Sequence, residues 1–403
     1  MTLSVQPSAD TQRSWNVASD LLSFLRCGLR YRYTQPGKSR PSHSSRQFSG
    51  QFLQQVLEEA WLHFKNAATA PLPWPDQTIR ELLDHVEQRL AARQVRCHSA
   101  TGRHYARLRA AAAVNELGPV LFPLLSHARL QVRNSISAPD MAPADTAPAN
   151  TTPAHTAISP PSCELTADIH AIAQLQLHDP TLSSNPLVRL LQQQLPQQQL
   201  PTAPLGTVQL LVDFQSNTRP DAALPGTRLN DLTELQILAT AFLYRTRSPY
   251  PVVAGLVCCL SELVPSRRHF LALRKALLRQ SDDFSDHFLA PAPDSPDARI
   301  LRTWRPSTAD QVPPLLSFHF RLQRAIRVIP VSPPDQLTAI AQLHDTIRRI
   351  QHCQSREQLT GQLLSVWERN PSGTTVCSSC SARTWCPDHS SAFQPVLPGI
   401  RQR

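Results

Sequence analysis

The nine residues Thr207-Val-Gln-Leu-Leu-Val-Asp-Phe-Gln215 predict a short buried β-strand, because apolar and β-branched side chains dominate the run up to its acid. Upstream, residues 163–176 alternate apolar and polar side chains as a half-buried strand does, and Asp168 lies among them. Downstream, apolar residues at helical spacing predict a helix over residues 231–245. The order strand, strand, helix predicts an α/β core with one aspartate, Asp168 or Asp213, on each strand.

Flanking patterns extend this prediction in both directions. We expect an α-rich N-terminal region over residues 1–137, a strand at 252–260, a strongly basic helix at 266–280 and a long helix at 335–368. Residues 316–323 alternate like a further strand.

Two low-complexity stretches divide the chain. The first is rich in Ala and Pro and the second in Gln and Pro, and neither has the apolar periodicity needed to offset ordering entropy. We therefore predict a disordered insertion at 138–162 and a second insertion at 190–204. The predicted units are residues 1–137, the insertion 138–162, an α/β core over 163–335, and a C-terminal helix with a cysteine cluster over 336–403.

Composition limits the classes of protein to which the chain can belong. Its 403 residues are 41% hydrophobic, enough to bury a large core. The 40 Lys and Arg exceed the 30 Asp and Glu by 40 − 30 = 10, a surplus that attracts nucleic acid or anionic lipid. No apolar run approaches the roughly 20 residues that span a bilayer, and residues 1–13 are too polar for a secretory signal. We expect a soluble, cytoplasmic protein with no membrane partner.

The cysteines point to a metal centre. Nine cysteines, an odd number, favour reduced thiols over a disulfide framework. Three of them lie within Cys377-Ser-Ser-Cys380-Ser-Ala-Arg-Thr-Trp-Cys386-Pro387. With the distant Cys27 they make a four-thiolate set for an iron–sulfur cluster that would join the two ends of the chain. Zinc is the alternative, because His389 lies three residues after Cys386 and would complete a self-contained zinc knuckle.

The two aspartates form a second candidate site. Acids on neighbouring strands can bind one Mg²⁺ or Mn²⁺, which polarises a phosphodiester and lowers the pKa of attacking water. Aspartates at strand ends are also common as turn or capping residues, and spacing alone does not separate the two interpretations.

In their order along the chain these features resemble the RecB-like PD-(D/E)XK nucleases that carry an iron–sulfur cluster, a group that includes CRISPR-associated exonucleases and AddB-type subunits. The features are the cysteine in Phe24-Leu-Arg-Cys-Gly-Leu-Arg-Tyr-Arg-Tyr33, the helix pattern Gly50-x-x-x-Gln54-x-x-Leu57, the two strand acids, Glu234-Leu-Gln236, and the C-terminal Cys-x2-Cys-x5-Cys-Pro. The cysteine pattern is the most specific of them.

The resemblance implies a mixed sheet flanked by helices and a residue-by-residue assignment of the sites. Catalytic positions are Asp168, Asp213, Gln215 and Gln236, metal-binding positions are Asp168, Asp213 and Gln54, and 4Fe–4S ligands are Cys27, Cys377, Cys380 and Cys386. Mg²⁺ or Mn²⁺ would be the ion of an active site. The chain departs from the family pattern at three positions, because the lysine falls at Gln215, the upstream histidine at Gln54 and a helix tyrosine at Thr240. A neutral amide supplies neither lysine's charge nor imidazole's ligand properties.

Two functions follow from the resemblance. The first is a metal-dependent deoxyribonuclease, an exonuclease of repair, recombination or defence. The second is a catalytically degenerate DNA-binding subunit that holds a helicase or recombination partner on DNA, which the lost lysine and histidine favour. A zinc-knuckle adaptor unrelated to nucleases is the third alternative. The candidate DNA contacts are the basic helix at 266–280 and the segment Arg30-Tyr31-Arg32-Tyr33.

Overall fold

The computed structural model describes most of the chain. The described residues are 14–35, 45–66, 71–136, 163–176, 179–195, 206–219, 228–278, 291–305 and 311–369, together with Cys377, Cys380 and Cys386. The predicted insertion at 138–162 and the zinc candidate His389 lie outside them.

The described strands form one mixed sheet. They are β1 (Ser14–Asn16), β2 (Leu125–Ile136), β3 (Cys163–Gln176), β4 (Thr207–Gln215), β5 (Val252–Cys259) and β6 (Ile326–Pro330). Their order is β1-β3-β4-β5-β6, and β2 pairs with β3 beside this path. The pairs β2–β3, β3–β4 and β5–β6 are antiparallel, whereas β1–β3 and β4–β5 are parallel. The predicted α/β class with a mixed sheet is confirmed.

Helices flank this sheet. They are α1 (Leu22–Arg26), α2 (Gly28–Thr34), α3 (Ser45–Asn66), α4 (Asp76–Ala92), α5 (Ala100–Ala112), α6 (Gly118–Leu121), α7 (Pro186–Gln194), α8 (Arg228–Tyr244), α9 (Arg267–Leu278), α10 (Pro296–Thr303), α11 (Phe318–Ala325) and α12 (Pro333–Thr360). Short π-helical turns at Val17–Leu21 and Ala113–Leu117 join neighbouring elements. No described helix has both the length and the apolar character needed to cross a bilayer.

Successive side chains of the central strands pack alternately into two separate hydrophobic cores. Val212 of β4 packs in one apolar cluster with residues of α3, α4 and α5, such as Phe52 and Val86. Its neighbour Leu211 packs in the other cluster with residues of α1, α8 and α12, such as Ile347. Because successive side chains of a strand point to opposite faces, helices cover both faces of the sheet. This double burial explains why β4 and β5 are nearly continuous apolar runs.

The central strand β3 has an interrupted edge. One edge pairs with β2 over most of its length. The other edge pairs with β1 at residues 164–166 and with β4 at residues 171–176. No described strand pairs with residues 167–170 on that second edge, so β1 and β4 leave a gap between them. Asp168 and His170 lie in this gap.

Residues 367 and 368 lie beside the N-terminal helices that flank Cys27. Trp367 is buried against the rings of Phe24 and Tyr31, with centroids 6.2 and 6.0 Å away. The Leu29 amide donates to the Glu368 carbonyl at 3.1 Å. Trp367 and Glu368, which precede the cysteine cluster in sequence, therefore pack against α1 and α2.

Two predictions of local structure are wrong. Residues 316–323 form no strand, because Ser317 caps α11 and accepts the Phe320 amide at 3.4 Å. The predicted insertion at 190–204 begins inside α7, where Leu190 and Leu191 are buried in the core. The described part of the region predicted to be α-rich is mostly helical, but it also contains the strand β2, which the sequence did not predict and which pairs with β3.

Candidate functional site

The acid of β4 lies where the ladder between β3 and β4 ends. The last backbone pair is Ala171 with Val212, so His170 and Asp213 face each other just beyond it. The Phe214 amide then donates to Nδ1 of His170 at 3.0 Å. The same Nδ1 lies 2.7 Å from Oδ1 of Asp213. When Nδ1 carries a proton, it donates a hydrogen bond to the Asp213 carboxylate. When Nδ1 is unprotonated, it accepts the hydrogen bond of the Phe214 amide.

Asp213 is buried, with 7% of its surface exposed. Its second oxygen, Oδ2, accepts from Nε2 of Gln215 at 2.9 Å. Burial alone would raise the pKa of Asp213, but the hydrogen bond and charge of His170, the Gln215 amide and the charge of Arg26 bring that pKa below its ordinary value. Asp213 is therefore held as a carboxylate.

His170 is the counterpart of Asp213. Burial alone would lower the pKa of His170, but the hydrogen bond and charge of Asp213 and the further charge of Asp168 raise that pKa above its ordinary value. The negative charges of Asp213 and Asp168 therefore both act on the imidazole of His170. In its charged form it makes an ion pair with Asp213.

Two side-chain amides donate hydrogen bonds to Asp168. Its Oδ1 accepts from Nε2 of Gln131 at 3.2 Å, and Gln131 stands directly opposite it on β2. Its Oδ2 accepts from Nδ2 of Asn16 at 3.1 Å, at the end of β1. Asn16 is itself fixed, because its Oδ1 accepts the Ser19 amide at 2.8 Å. Each of the four carboxylate oxygens of Asp168 and Asp213 therefore has a protein side chain within 3.2 Å.

Gln54, the position to which the resemblance assigns an upstream histidine, lies near His170. Gln54 of α3 and His170 line one small pocket that is partly open to solvent. Glu58, one turn after Gln54, lines it too, and most of the remaining wall is apolar. One turn before Gln54 in α3, a Cβ at Gly50 would lie 3.6 Å from Oγ of Ser216, so the helix passes close to the end of β4.

The structure joins only some of the predicted catalytic residues. Asp213 is hydrogen-bonded to Gln215 and contacts His170, and the charge of Asp168 also acts on His170. Gln236 is half-buried on α8, where its carbonyl accepts from Thr240 at 2.7 Å. Among the described residues no hydrogen bond connects the Gln236 side chain to either acid.

Cys27 occupies a break in the N-terminal helices. It separates α1 from α2 with extended backbone, and its Sγ accepts the Arg30 amide at 3.4 Å. Cys27 and Cys386 pack at the border of the same apolar cluster. The Cys380 amide donates to the Cys377 carbonyl at 3.1 Å, which closes a tight turn between these two thiols. In the part of the chain that the structure describes, no three His, Cys, Asp or Glu side chains converge closely enough to hold a metal ion.

Part of the predicted DNA-contact segment is structural. Tyr31 is 1% exposed and packs in the core. Arg32 is buried as well, and its guanidinium makes a two-point ion pair with Glu357 of α12. The prediction that Tyr31 and Arg32 contact DNA is therefore wrong, because both side chains hold the two chain ends together.

A buried charge cluster anchors the loop that follows β4. Glu262 is 2% exposed, and its Oε2 accepts from Nε of the buried Arg324 at 2.8 Å. Its Oε1 accepts the backbone amide of Arg219 at 2.9 Å. Beside it, Oγ of Ser261 donates to the Ser216 carbonyl at 2.7 Å. The loop directly after Asp213 and Gln215 is thereby fixed to the end of β5.

Sequence reasoning missed four residues of this site: His170, Gln131, Asn16 and Arg26. His170 was accessible from the sequence, since it lies two positions after Asp168 on a predicted strand. The other three come from β1, β2 and α1, whose proximity depends on the fold. Comparison with protein-family models and with curated proteins finds no match to the chain.

Proposed function

We propose that the protein binds DNA as a catalytically degenerate relative of the RecB-like PD-(D/E)XK nucleases. The observation that carries this proposal is the complete set of side-chain partners around the two acids. Imidazole and amide groups serve all four oxygens of Asp168 and Asp213, the atoms that would otherwise ligate Mg²⁺ or Mn²⁺. Hydrogen bonds from protein side chains thus stabilise the two carboxylates, as a bound cation would.

The arrangement of the acids supports the nuclease ancestry. The resemblance implies one acid on each of two neighbouring strands of a mixed sheet. Asp168 lies on β3 and Asp213 on β4, and these strands are hydrogen-bonded neighbours. Gln215 occupies the position at which the resemblance places lysine. Its side-chain amide donates a hydrogen bond to Asp213. The positions of the two acids are consistent with a retained nuclease fold, whereas the glutamine at the lysine position is consistent with lost catalytic activity.

Exposed basic helices support the DNA partner. The predicted basic helix is α9, on which Arg268 and Lys275 are exposed. The following helix α10 adds Arg299 and Arg302, both exposed as well. The described residues give none of these four side chains an acidic partner. Such arginines and lysines are the groups that neutralise backbone phosphates.

The iron–sulfur centre remains part of the proposal. Cys27, Cys377, Cys380 and Cys386 would be the thiolate ligands, and the cluster would join the two chain ends. The donors fit in two respects, because the ends already meet at Leu29 and Glu368 and because Cys27 and Cys386 border one apolar cluster. The zinc-knuckle adaptor remains the alternative. Iron and zinc analysis with an absorption spectrum of anaerobically purified protein separates them, since only an iron–sulfur cluster gives visible absorption.

A retained nuclease is the second candidate function. It is favoured by the gap in the β3 edge, which leaves Asp168 exposed at the split between β1 and β4. In that case Asp168 and Asp213 would bind Mg²⁺ or Mn²⁺, and the ion would activate water for attack on a phosphodiester.

DNA binding tests the main proposal. Fluorescence anisotropy with a labelled single-stranded oligonucleotide, in EDTA and over a series of salt concentrations, should show binding that weakens steeply with salt. Asp213→Ala should bind with an affinity close to that of the wild type. A wild-type protein that binds no DNA at low salt would refute the proposal.

A further inference from the structure

The loop between α8 and β5 presents two arginines and a tyrosine to solvent. It covers residues 245–251, with the sequence Arg245-Thr-Arg-Ser-Pro-Tyr-Pro251. Arg245, Arg247 and Tyr250 are all exposed, and 40% of the Tyr250 surface is accessible. Among the exposed large apolar side chains of the described residues, Tyr250 alone carries an aromatic ring. The ring therefore belongs to the surface of the protein and not to its core.

Hydrogen bonds fix the backbone of this loop. The Arg247 amide donates to the Tyr244 carbonyl at 2.8 Å, which makes a tight turn directly after α8. The Tyr250 amide then donates to Oγ of Ser248 at 3.1 Å. Both bonds lie within the loop or at its start, so the positions of the exposed side chains are set locally.

Prolines on both sides of Tyr250 restrict the backbone further. Pro249 and Pro251 each have a fixed φ, and a proline also holds the residue before it in extended conformation. The Pro251 carbonyl accepts the Gln209 amide at 2.9 Å, which ties the end of the loop to β4. A ligand of Tyr250 would therefore meet a pre-organised ring, which reduces the ordering cost of binding.

The two arginines make the loop locally cationic. The guanidinium of Arg245 lies over the ring of the buried Phe242, with Cζ 3.8 Å from the ring centroid. This cation–π contact orients the guanidinium plane. In the part of the chain that the structure describes, neither Arg245 nor Arg247 has an acidic partner, and residues 235–261 contain no Asp or Glu.

An exposed ring between fixed cations fits an unpaired nucleic-acid strand. Arginines neutralise backbone phosphates, and a tyrosine ring stacks on a base of any sequence. An acidic peptide would use the arginines but would not require the ring. The bases of a duplex are already stacked on each other, so they would not use it either. The combination of groups in this loop favours single-stranded nucleic acid as the ligand.

The loop lies away from the acid pair. Val252 begins β5 directly after the loop, and Asp213 pairs with Val257 further along that strand. At a rise of about 3.3 Å per residue, the loop and Asp213 are roughly 17 Å apart along the sheet. A strand bound at the loop would thus make a contact separate from the two carboxylates.

We propose that the loop 245–251 binds single-stranded DNA, with one unpaired base stacked on Tyr250 and neighbouring phosphates bound by Arg245 and Arg247. This inference rests on the DNA binding proposed above. It adds a preference for unpaired strands and names the residues that provide it.

The test compares four variants with the wild type by fluorescence anisotropy. Tyr250→Phe keeps the ring, whereas Tyr250→Leu substitutes an apolar side chain without one. Arg245→Gln with Arg247→Gln removes both charges. Arg80→Gln with Arg93→Gln is the matched control, because both arginines are exposed on or beside α4 and form no ion pair with a described residue. Each protein is titrated with a labelled single-stranded oligonucleotide and with the duplex of the same sequence, at several salt concentrations.

The ring and the charges should have different signatures. Tyr250→Leu should bind the single strand about 10-fold more weakly with an unchanged salt slope, because it loses stacking and no charge. It should bind the duplex as the wild type does, and Tyr250→Phe should match the wild type on both. The variant without Arg245 and Arg247 should show a salt slope on single strands smaller by about 1.4, since each phosphate contact contributes about 0.7. The control should keep the slope of the wild type.

Four results would overturn the inference. They are wild-type affinity of Tyr250→Leu for the single strand, an equal loss of affinity in Tyr250→Phe, an equal loss on the duplex, and a salt slope in the Arg245, Arg247 variant that does not differ from that of the control. A wild-type protein that binds no DNA would instead refute the DNA binding proposed above, so the two failures are distinguishable.

Discussion

Two clusters of buried charge lie near the end of β4, and they differ in how completely they are paired. Glu262 has Arg324 on one oxygen and the Arg219 amide on the other. Arg26 and Arg30 each have a buried Nε atom without a hydrogen-bond partner. Fully paired charges support a fixed structure, whereas unpaired charges of one sign suit a ligand of the opposite sign. The difference separates a charge cluster that anchors the fold from two arginines whose Nε atoms the fold leaves unpartnered.

The largest effect should come from breaking the paired cluster. Glu262→Gln leaves the buried Arg324 without its counter-ion and should destabilise the protein by about 3–5 kcal/mol. Urea unfolding followed by circular dichroism measures this. The matched control is Glu234→Gln, which breaks the partly exposed pair with Arg327 and should cost less than about 1 kcal/mol. Equal losses in the two variants would show that Glu262 is not an anchor.

The junction of the chain ends should be the next most sensitive place. A Cβ at Gly28 would lie 3.0 Å from the Glu368 carbonyl oxygen, so Gly28→Ala must push two backbone segments apart. We expect a loss of about 1–3 kcal/mol in urea unfolding. Gly50→Ala is the control, because its Cβ would meet only Ser216 at 3.6 Å and alanine favours the helix. A Gly28→Ala protein as stable as the Gly50→Ala protein would contradict the close contact.

The contact between His170 and Asp213 should make the stability of the protein depend on pH in a defined way. The raised pKa of His170 contributes stability that is complete below its unfolded value of 6.5 and is lost as the pH rises through the folded pKa. The lowered pKa of Asp213 contributes stability that is complete above 3.8 and is lost as the pH falls through the folded pKa. The contribution of the pair should therefore be greatest between these two values.

Unfolding of the wild type and of Asp213→Asn from pH 4 to 8 measures this contribution. The variant lacks the charge that raises the pKa of His170, so its stability should fall less than that of the wild type as the pH rises above 6.5. Parallel curves for the two proteins would show that the ion pair does not form.

The smallest effect on stability should come from the unpaired cluster. Single replacements of Arg26 or Arg30 by Gln remove no hydrogen bond that the structure records, so their urea midpoints should stay close to that of the wild type. This is the opposite of the Glu262→Gln result, and the two together sharpen the distinction between paired and unpaired charges. A large loss from either arginine would erase it.

The elements that the sequence predicted well are those with a strong local pattern. β4 and β5 are short apolar runs buried on both faces, and α3 and α8 have long apolar stripes. β2 was missed because most of its side chains are exposed or half-buried, and among residues 125–135 only Val132 is fully buried. Its existence depends on pairing with β3 rather than on its own pattern. In α11, apolar residues at alternating positions imitated a strand, although Ser317 begins a helix there.

The site was predictable to the same extent. Asp168 and Asp213 could be found because each lies on a recognisable strand. Their partners could not, since Asn16 is 152 residues from Asp168 in sequence and Gln131 is 37 residues away. Only the fold brings these amides to the carboxylates. His170 is the exception, because the spacing from Asp168 to His170 on one strand places both at the same part of the β3 edge.

The claim that protein donors have replaced the catalytic cation at Asp168 and Asp213 is tested most directly by cleavage. Anaerobically purified wild-type protein and Asp213→Ala should be incubated with end-labelled single-stranded DNA and Mn²⁺, and the products resolved on a sequencing gel. The account predicts that DNA remains intact to the same extent with both proteins while both still bind it. Cleavage by the wild type that disappears in Asp213→Ala would contradict the account and establish an active nuclease.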